Sequence, residues 1–139
     1  MARALLPLAF TAVFLLPACV DTSEPDADEA RFGRYSLRAI NGGEPPGAVY
    51  ENAVSQVHFL SGALRLNEDF TFTDSTHVRV IRTREGGTFT SMDVATGTFR
   101  ITSDSVFLES TRGENYHMRF GSTGSLLQTL EGSVLLYRK

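Results

Sequence analysis

Gly62-Ala63-Leu64-Arg65-Leu66-Asn67-Glu68-Asp69-Phe70-Thr71-Phe72 is the stretch that decides the fold. Leu64 and Leu66 alternate with Ala63 and Arg65, and the alternation resumes as Phe70-Thr71-Phe72 after three turn-forming residues. A period of two places Leu64 and Leu66 on one face of a strand and Arg65 on the other. Asn67-Glu68-Asp69 is too short for anything but a hairpin turn, in which Asn and Asp side chains satisfy their own backbone. A second stretch repeats the grammar: Gly97-Thr98-Phe99-Arg100-Ile101-Thr102-Ser103-Asp104 has a glycine, alternating apolar positions, an outward arginine and a turn aspartate. Hairpin geometry alone selects such a pattern, so it does not imply a duplication.

Working outward, the same signals predict strands near 32–41, 54–67, 69–83, 87–102, 104–111, 115–121, 124–130 and 133–138. No stretch carries a helical apolar period. Short turns join these segments, namely Gly86-Gly87, Ser103-Asp104, Gly113-Glu114-Asn115, Gly121-Ser122-Thr123-Gly124 and Glu131-Gly132. Only 42–53, with Gly42-Gly43-Glu44-Pro45-Pro46-Gly47, reads as a longer connection. Hairpin after hairpin gives an antiparallel meander, and closing eight strands into an up-and-down barrel removes both exposed edges. The predicted class is therefore all-β, an eight-stranded meander barrel occupying 32–139. His58 tests the phase. If Val57 and Phe59 face inward together with Leu64 and Leu66, a bulge is needed near Ser61-Gly62 and His58 faces solvent; without it, His58 joins the interior.

Charge sets the N-terminal stretch apart. Residues 20–31 hold Asp21, Glu24, Asp26, Asp28 and Glu29 against Arg31, whereas 32–139 balance eleven acids with eleven bases. The acidic stretch reads as an extended, disordered spacer. A neutral domain without a basic face argues against nucleic acid as a partner. Ahead of the spacer, Arg3 supplies a positive start, 4–16 an apolar segment too short to span a bilayer, and Leu16-Pro17-Ala18-Cys19 a small-residue cleavage site. That quartet resembles the bacterial lipobox, whose cysteine is thioether-linked to diacylglycerol and then acylated. The resemblance implies a signal peptide over 1–18, lipidation of Cys19, and a lipidated cysteine plus linker over 19–31. Its acyl chains would partner the membrane. Val20 in place of an aspartate after the cysteine leans toward the outer membrane, facing the periplasm. Cys19 is the only cysteine, so no disulfide forms within one chain.

The order Gly33-Arg34-Tyr35-Ser36-Leu37, Ile40-Asn41-Gly42, Ser61-Gly62-Ala63-Leu64-Arg65-Leu66, Asp69-Phe70-Thr71-Phe72, Gly97-Thr98-Phe99 and Leu136-Tyr137-Arg138 resembles bacterial lipocalin-like lipoproteins. The likeness covers nearly the whole domain. Tyr35 stands where lipocalins carry the tryptophan of Gly-x-Trp. The resemblance implies a barrel that binds a small apolar molecule. Arg138 is either the basic residue that packs across the first-strand aromatic or an exposed terminal arginine.

Chemistry is sparse. His58, His77 and His117 lie far apart, without the close spacing of a local metal pair. Gly-x-Ser-x-Gly is absent, and Glu51, Glu68, Asp69, Asp93, Glu109 and Glu114 fall mostly in turns or on outward faces. The sequence thus predicts no catalytic residue, no metal site and no cofactor. Candidates to line a ligand cavity are the alternating Phe72, Phe99, Tyr116, Met118 and Phe120. The competing expectation is that they fill the core, leaving a solid barrel that acts as a structural or protein-interaction module.

Overall fold

In the computed structural model, the described residues are 29–84 and 86–139. Cys19, the leader and the spacer through Asp28 lie outside them. Nine strands follow a short 3-10 helix at Glu29–Arg31: β1 Gly33–Ile40, β2 Gly47–Glu51, β3 Ser55–Leu66, β4 Thr71–Arg82, β5 Gly87–Ile101, β6 Ser105–Ser110, β7 Asn115–Phe120, β8 Ser125–Leu130 and β9 Ser133–Arg138. All pairings are antiparallel. The order β1-β9-β8-β7-β6-β5-β4-β3 closes through β1 against β3, so eight strands form an up-and-down barrel and β2 is an addition.

β2 is the departure from expectation, since 42–53 reads as a connection. β3 accounts for it: its second half pairs with β1 from Gly33↔Leu66 to Ser36↔Ala63, while its first half is left for Gly47↔Phe59 through Glu51↔Gln56 of β2. A long strand thus takes two successive partners on one edge, which satisfies most of its backbone groups there.

The phase question resolves in favour of the bulge. Phe59 pairs with Val78 and Ser61 with His77, which leaves Leu60 as the extra residue. The half-step turns Val57 and Phe59 inward together with buried Leu64 and Leu66. His58 then lies on the outer face, 3.5 Å from Gln56.

Inward residues build one core, with Tyr35, Leu64, Leu66, Phe72, Val106, Leu126, Leu135 and Tyr137 the most completely enclosed. Gly97 is where β5 bends into the ring. A Cβ there would fall 1.9 Å from the Glu109 carbonyl oxygen and 2.8 Å from the Phe72 ring, so the close approach of β6 requires glycine.

One end of the barrel is plugged by the segment just ahead of β1. Arg31 donates to the carbonyls of Thr102 (2.9 Å) and Ser103 (2.7 Å) and lies 4.4 Å from the centre of the Phe120 ring. Tyr35 donates from its hydroxyl to the Arg31 carbonyl at 2.6 Å. Phe32, Phe70 and Phe99 meet edge-on or tilted, with centroids 5.6–6.2 Å apart. Arg31, placed in the linker on sequence grounds, is therefore part of the barrel's closure. Lys139, not Arg138, supplies the cation over Tyr35, at 5.3 Å, and donates to the Ala30 carbonyl. Arg138 is exposed.

Candidate functional site

The two ends of the barrel are built differently, and the difference follows each strand. Along β4 the inward residues run Phe72, Asp74, Thr76, Val78, Val80, and opposite them on β5 lie Gly97, Ala95, Asp93, Ser91 and Phe89. Phe72, beside the plugged end, is buried, whereas Val78 and Val80 are only half-buried and Phe89 is exposed. The plugged end is packed hydrocarbon and the opposite end is an open mouth.

The sequence-predicted ligand residues divide accordingly. Phe72, Phe99 and Met118 are buried in the core, and Tyr116 and Phe120 are half-buried and packed against it. The structure brings Phe72 and Tyr116 together, edge to face with centroids 6.5 Å apart. Phe120 lies instead at the plugged end under Arg31. None of the recesses described below is lined by Phe72, Met118 or Phe120.

The mouth is partly roofed by β2. Val49, the unpaired residue between Ala48↔His58 and Tyr50↔Val57, turns inward and is buried. Ser133 of β9 donates to the Val49 carbonyl at 3.2 Å, tying the far side of the roof down. Beneath it, Val49, Tyr50, Val57, Phe59, Leu130 and Glu131 line a recess of about 360 Å³, and Ala48, Glu51 and Ser133 extend the same lining into a neighbouring recess of about 330 Å³. Val57, Phe59 and Leu130 give the first recess an apolar wall, while Glu131 puts a carboxylate at its rim. Strand alternation identifies Val57 and Phe59 as inward but carries no sign that a roof crosses above them. The available signal was Ala48-Val49-Tyr50, a short alternation hidden behind Gly47 and two prolines.

Deeper in the mouth lies a polar layer. Asp74 lies two residues from Thr76 on the same inward face, and its Oδ1 is buried without a hydrogen-bond partner among the described residues. Burial, and then the neighbouring charge of Asp93, pushes the Asp74 carboxyl up to about 6, with Thr76 and Arg112 opposing. Tyr116 donates to Glu114 at 2.5 Å, and burial followed by that carboxylate raises its phenol to about 12. Burial, with Asp74 second, raises Tyr137 also. Asp93, opposite Thr76, is held by Arg112 at 2.9 and 3.3 Å.

Outside the barrel, a groove of about 450 Å³ crosses β5, β6 and β7. Its wall is the row Arg100↔Phe107↔His117, with the guanidinium 4.0 Å over the Phe107 ring and the imidazole stacked on it at 4.7 Å. Arg100 thus sets its charge over an aromatic face. Among the described residues no group of three or more His, Cys, Asp or Glu is placed to hold a metal ion. Comparison with family models, with curated proteins and with solved structures finds no match to this chain.

Proposed function

We propose that the chain is a lipid-anchored lipoprotein of the bacterial cell envelope whose lipocalin-like barrel binds a small apolar molecule without catalysis. The observation that carries this reading is the shallow, open recess walled by Val49, Val57, Phe59 and Leu130 at one end of a barrel whose other end is packed. The ligand enters the mouth rather than the core. Phe72, Phe99 and Met118 fill the core instead of lining the recess, and Tyr116 belongs to the polar layer between core and mouth. A shallow, partly polar mouth suits a molecule with an apolar body and a polar end.

Acyl chains on Cys19 anchor the barrel, with the outer membrane, periplasmic face, as the expected address. Globomycin-sensitive processing and incorporation of labelled palmitate at Cys19 test the anchor. For the recess, titration with the apolar dye phenylnaphthylamine should give saturable fluorescence enhancement. Phe59→Asp and Leu130→Asp should abolish it while the far-ultraviolet spectrum of the barrel stays unchanged. Enhancement that survives both substitutions sinks the assignment to the mouth.

A second reading, a structural or interaction module with a solid core, is favoured by the completeness of packing at the plugged end. It makes the opposite prediction for the dye, which should then not bind at all.

A further inference from the structure

β5 is longer than its neighbour in the ring. β4 accompanies it from Gly87 to Thr98, whereas β6 pairs only with Gly97 to Ile101. Residues 87–96 therefore form one side of a projecting hairpin, with a strand on one flank only. The main-chain directions follow from two bonds. Phe99 donates its N–H to the Phe70 carbonyl on the β4 side, and the Thr96 carbonyl accepts from Thr111 on the other side. In an antiparallel ladder the N–H and C=O of one residue point the same way and alternate along the strand. Odd residues thus face β4, and Thr88, Thr90, Met92 and Val94 present their backbone groups to the free edge.

Free edges of this length are ordinarily blunted by lysine, proline, a bulge or shortness. Residues 87–96 contain no lysine, arginine or proline, and their register with β4 is unbroken. The one charged residue, Asp93, is already neutralised by Arg112 at 2.9 Å. Met92 is 65% and Val94 49% exposed on the outer face, and Phe89 is 46% exposed on the inner one.

We propose that this edge joins two copies of the chain in an antiparallel, two-fold β5–β5 ladder with its axis at Ser91. Self-complementarity selects the occupant. With the axis at Ser91, Thr88 faces Val94 of the partner subunit and Thr90 faces Met92 of the partner subunit. Each such pair exchanges two hydrogen bonds, and all four outward residues are satisfied in each copy. The outer face gains neutral β-branched and Met contacts, which are favourable cross-strand pairs. Moving the axis to Asp93 would oppose two carboxylates and leave Thr88 unpaired. The chain's own acidic stretch is a poor alternative, because Pro25 interrupts the backbone donors that the edge requires.

At Ser91 the two strands form a non-hydrogen-bonded pair, whose Cα separation of about 4.5 Å is within disulfide range. Ser91→Cys should therefore cross-link to a covalent dimer under mild oxidation. Thr88→Cys should not, because its own counterpart lies several residues along the ladder, and the parent chain, whose one cysteine is Cys19, is the control. Sedimentation of the detergent-solubilised protein over micromolar to millimolar concentrations should show a monomer–dimer equilibrium. Thr90→Pro should abolish it without unfolding the barrel, since the Thr90 N–H makes no bond to β4; Thr90→Lys serves the same purpose if proline impairs folding. A monomer throughout the range, a dimer unaffected by Thr90→Pro and Thr90→Lys, or cross-linking at Thr88 as fast as at Ser91 would each overturn the proposal.

Discussion

The plugged end of the barrel and its mouth are made from the same strands, yet they solve opposite problems. At the plugged end Phe32, Phe70 and Phe99 interlock, Arg31 seats its guanidinium on two carbonyls, and the enclosed Phe72, Leu66 and Leu126 leave no recess. At the mouth the equivalent inward positions hold half-buried Val78 and Val80, a carboxyl with an unpartnered oxygen, and a roof borrowed from outside the ring. A small barrel cannot afford two open ends, because its one core must offset the conformational entropy of the whole chain. Concentrating hydrocarbon at one end frees the other to carry groups that cost stability.

The sharpest test contrasts two phenylalanines. Phe72→Ala opens a cavity among side chains that cannot collapse into it, and should lower the unfolding free energy by about 3–5 kcal/mol in urea denaturation. Phe59→Ala, on a wall already half open, should cost roughly 1–2 kcal/mol, in proportion to the smaller area it removes from contact. The same two variants should reverse order in dye binding, which Phe59→Ala weakens more. Equal losses of stability would mean that the mouth is packed like the plugged end.

The ring itself was legible in the sequence, but the contrast between its ends was not. All eight ring strands follow from two-residue alternation broken by Gly, Asn, Asp and Ser, and the clash of phase between Phe59 and Leu64 set a bulge near Ser61-Gly62 against an inward His58; the bulge is what forms, at Leu60. Alternation reports which face a residue occupies, but not how far along the barrel axis it sits. Phe72 and Val80 look equivalent in sequence, although one lies in the core and the other at the mouth. β2 was hidden because Gly47 and the prolines before it signal a loop, and because its pairing depends on the length of β3 rather than on its own composition. Arg31 was masked by the acidic residues ahead of it. Lys139 rather than Arg138 reaches Tyr35 because the inward or outward phase of the last strand residue, not its charge, decides which cation can fold back.

The second contrast is electrostatic and belongs to the mouth. Asp74 carries a carboxyl whose pKa in the folded chain is about 6, above its ordinary value of 3.8, because burial and Asp93 disfavour its charge. The folded state therefore holds this proton more tightly than the unfolded chain. Its contribution to stability is complete below about pH 4 and is lost as pH rises through about 6. Asp74→Asn should raise stability at neutral pH by about 2 kcal/mol and flatten the profile across that window. The other ionisable groups facing it, Asp93 with Arg112, Tyr116 and Tyr137, stay as they are in the variant, so the difference between the two profiles isolates Asp74. A denaturation midpoint that is independent of pH in the parent chain would show that the mouth hydrates this carboxylate freely.

The smallest expected effect separates two arginines, one at each end. Among the described residues Arg31 and Arg112 each make two hydrogen bonds through the guanidinium, but to different things: Arg31 to the backbone carbonyls of Thr102 and Ser103, Arg112 to the exposed carboxylate of Asp93. Backbone carbonyls are held by the fold, so Arg31 joins the segment ahead of β1 to the β5–β6 turn across a long loop of sequence, and its guanidinium lies over the Phe120 ring. Water can replace those two bonds at an exposed Ser103, which limits the loss. Arg31→Ala should therefore cost about 1 kcal/mol and speed hydrogen exchange of the β5–β6 turn amides. Arg112→Ala removes a solvent-screened pair between two mobile side chains and should leave the melting temperature unchanged within error. If Arg112→Ala proves the more damaging of the two, the mouth is held by charge and not by the roof, and the division of labour between the ends fails.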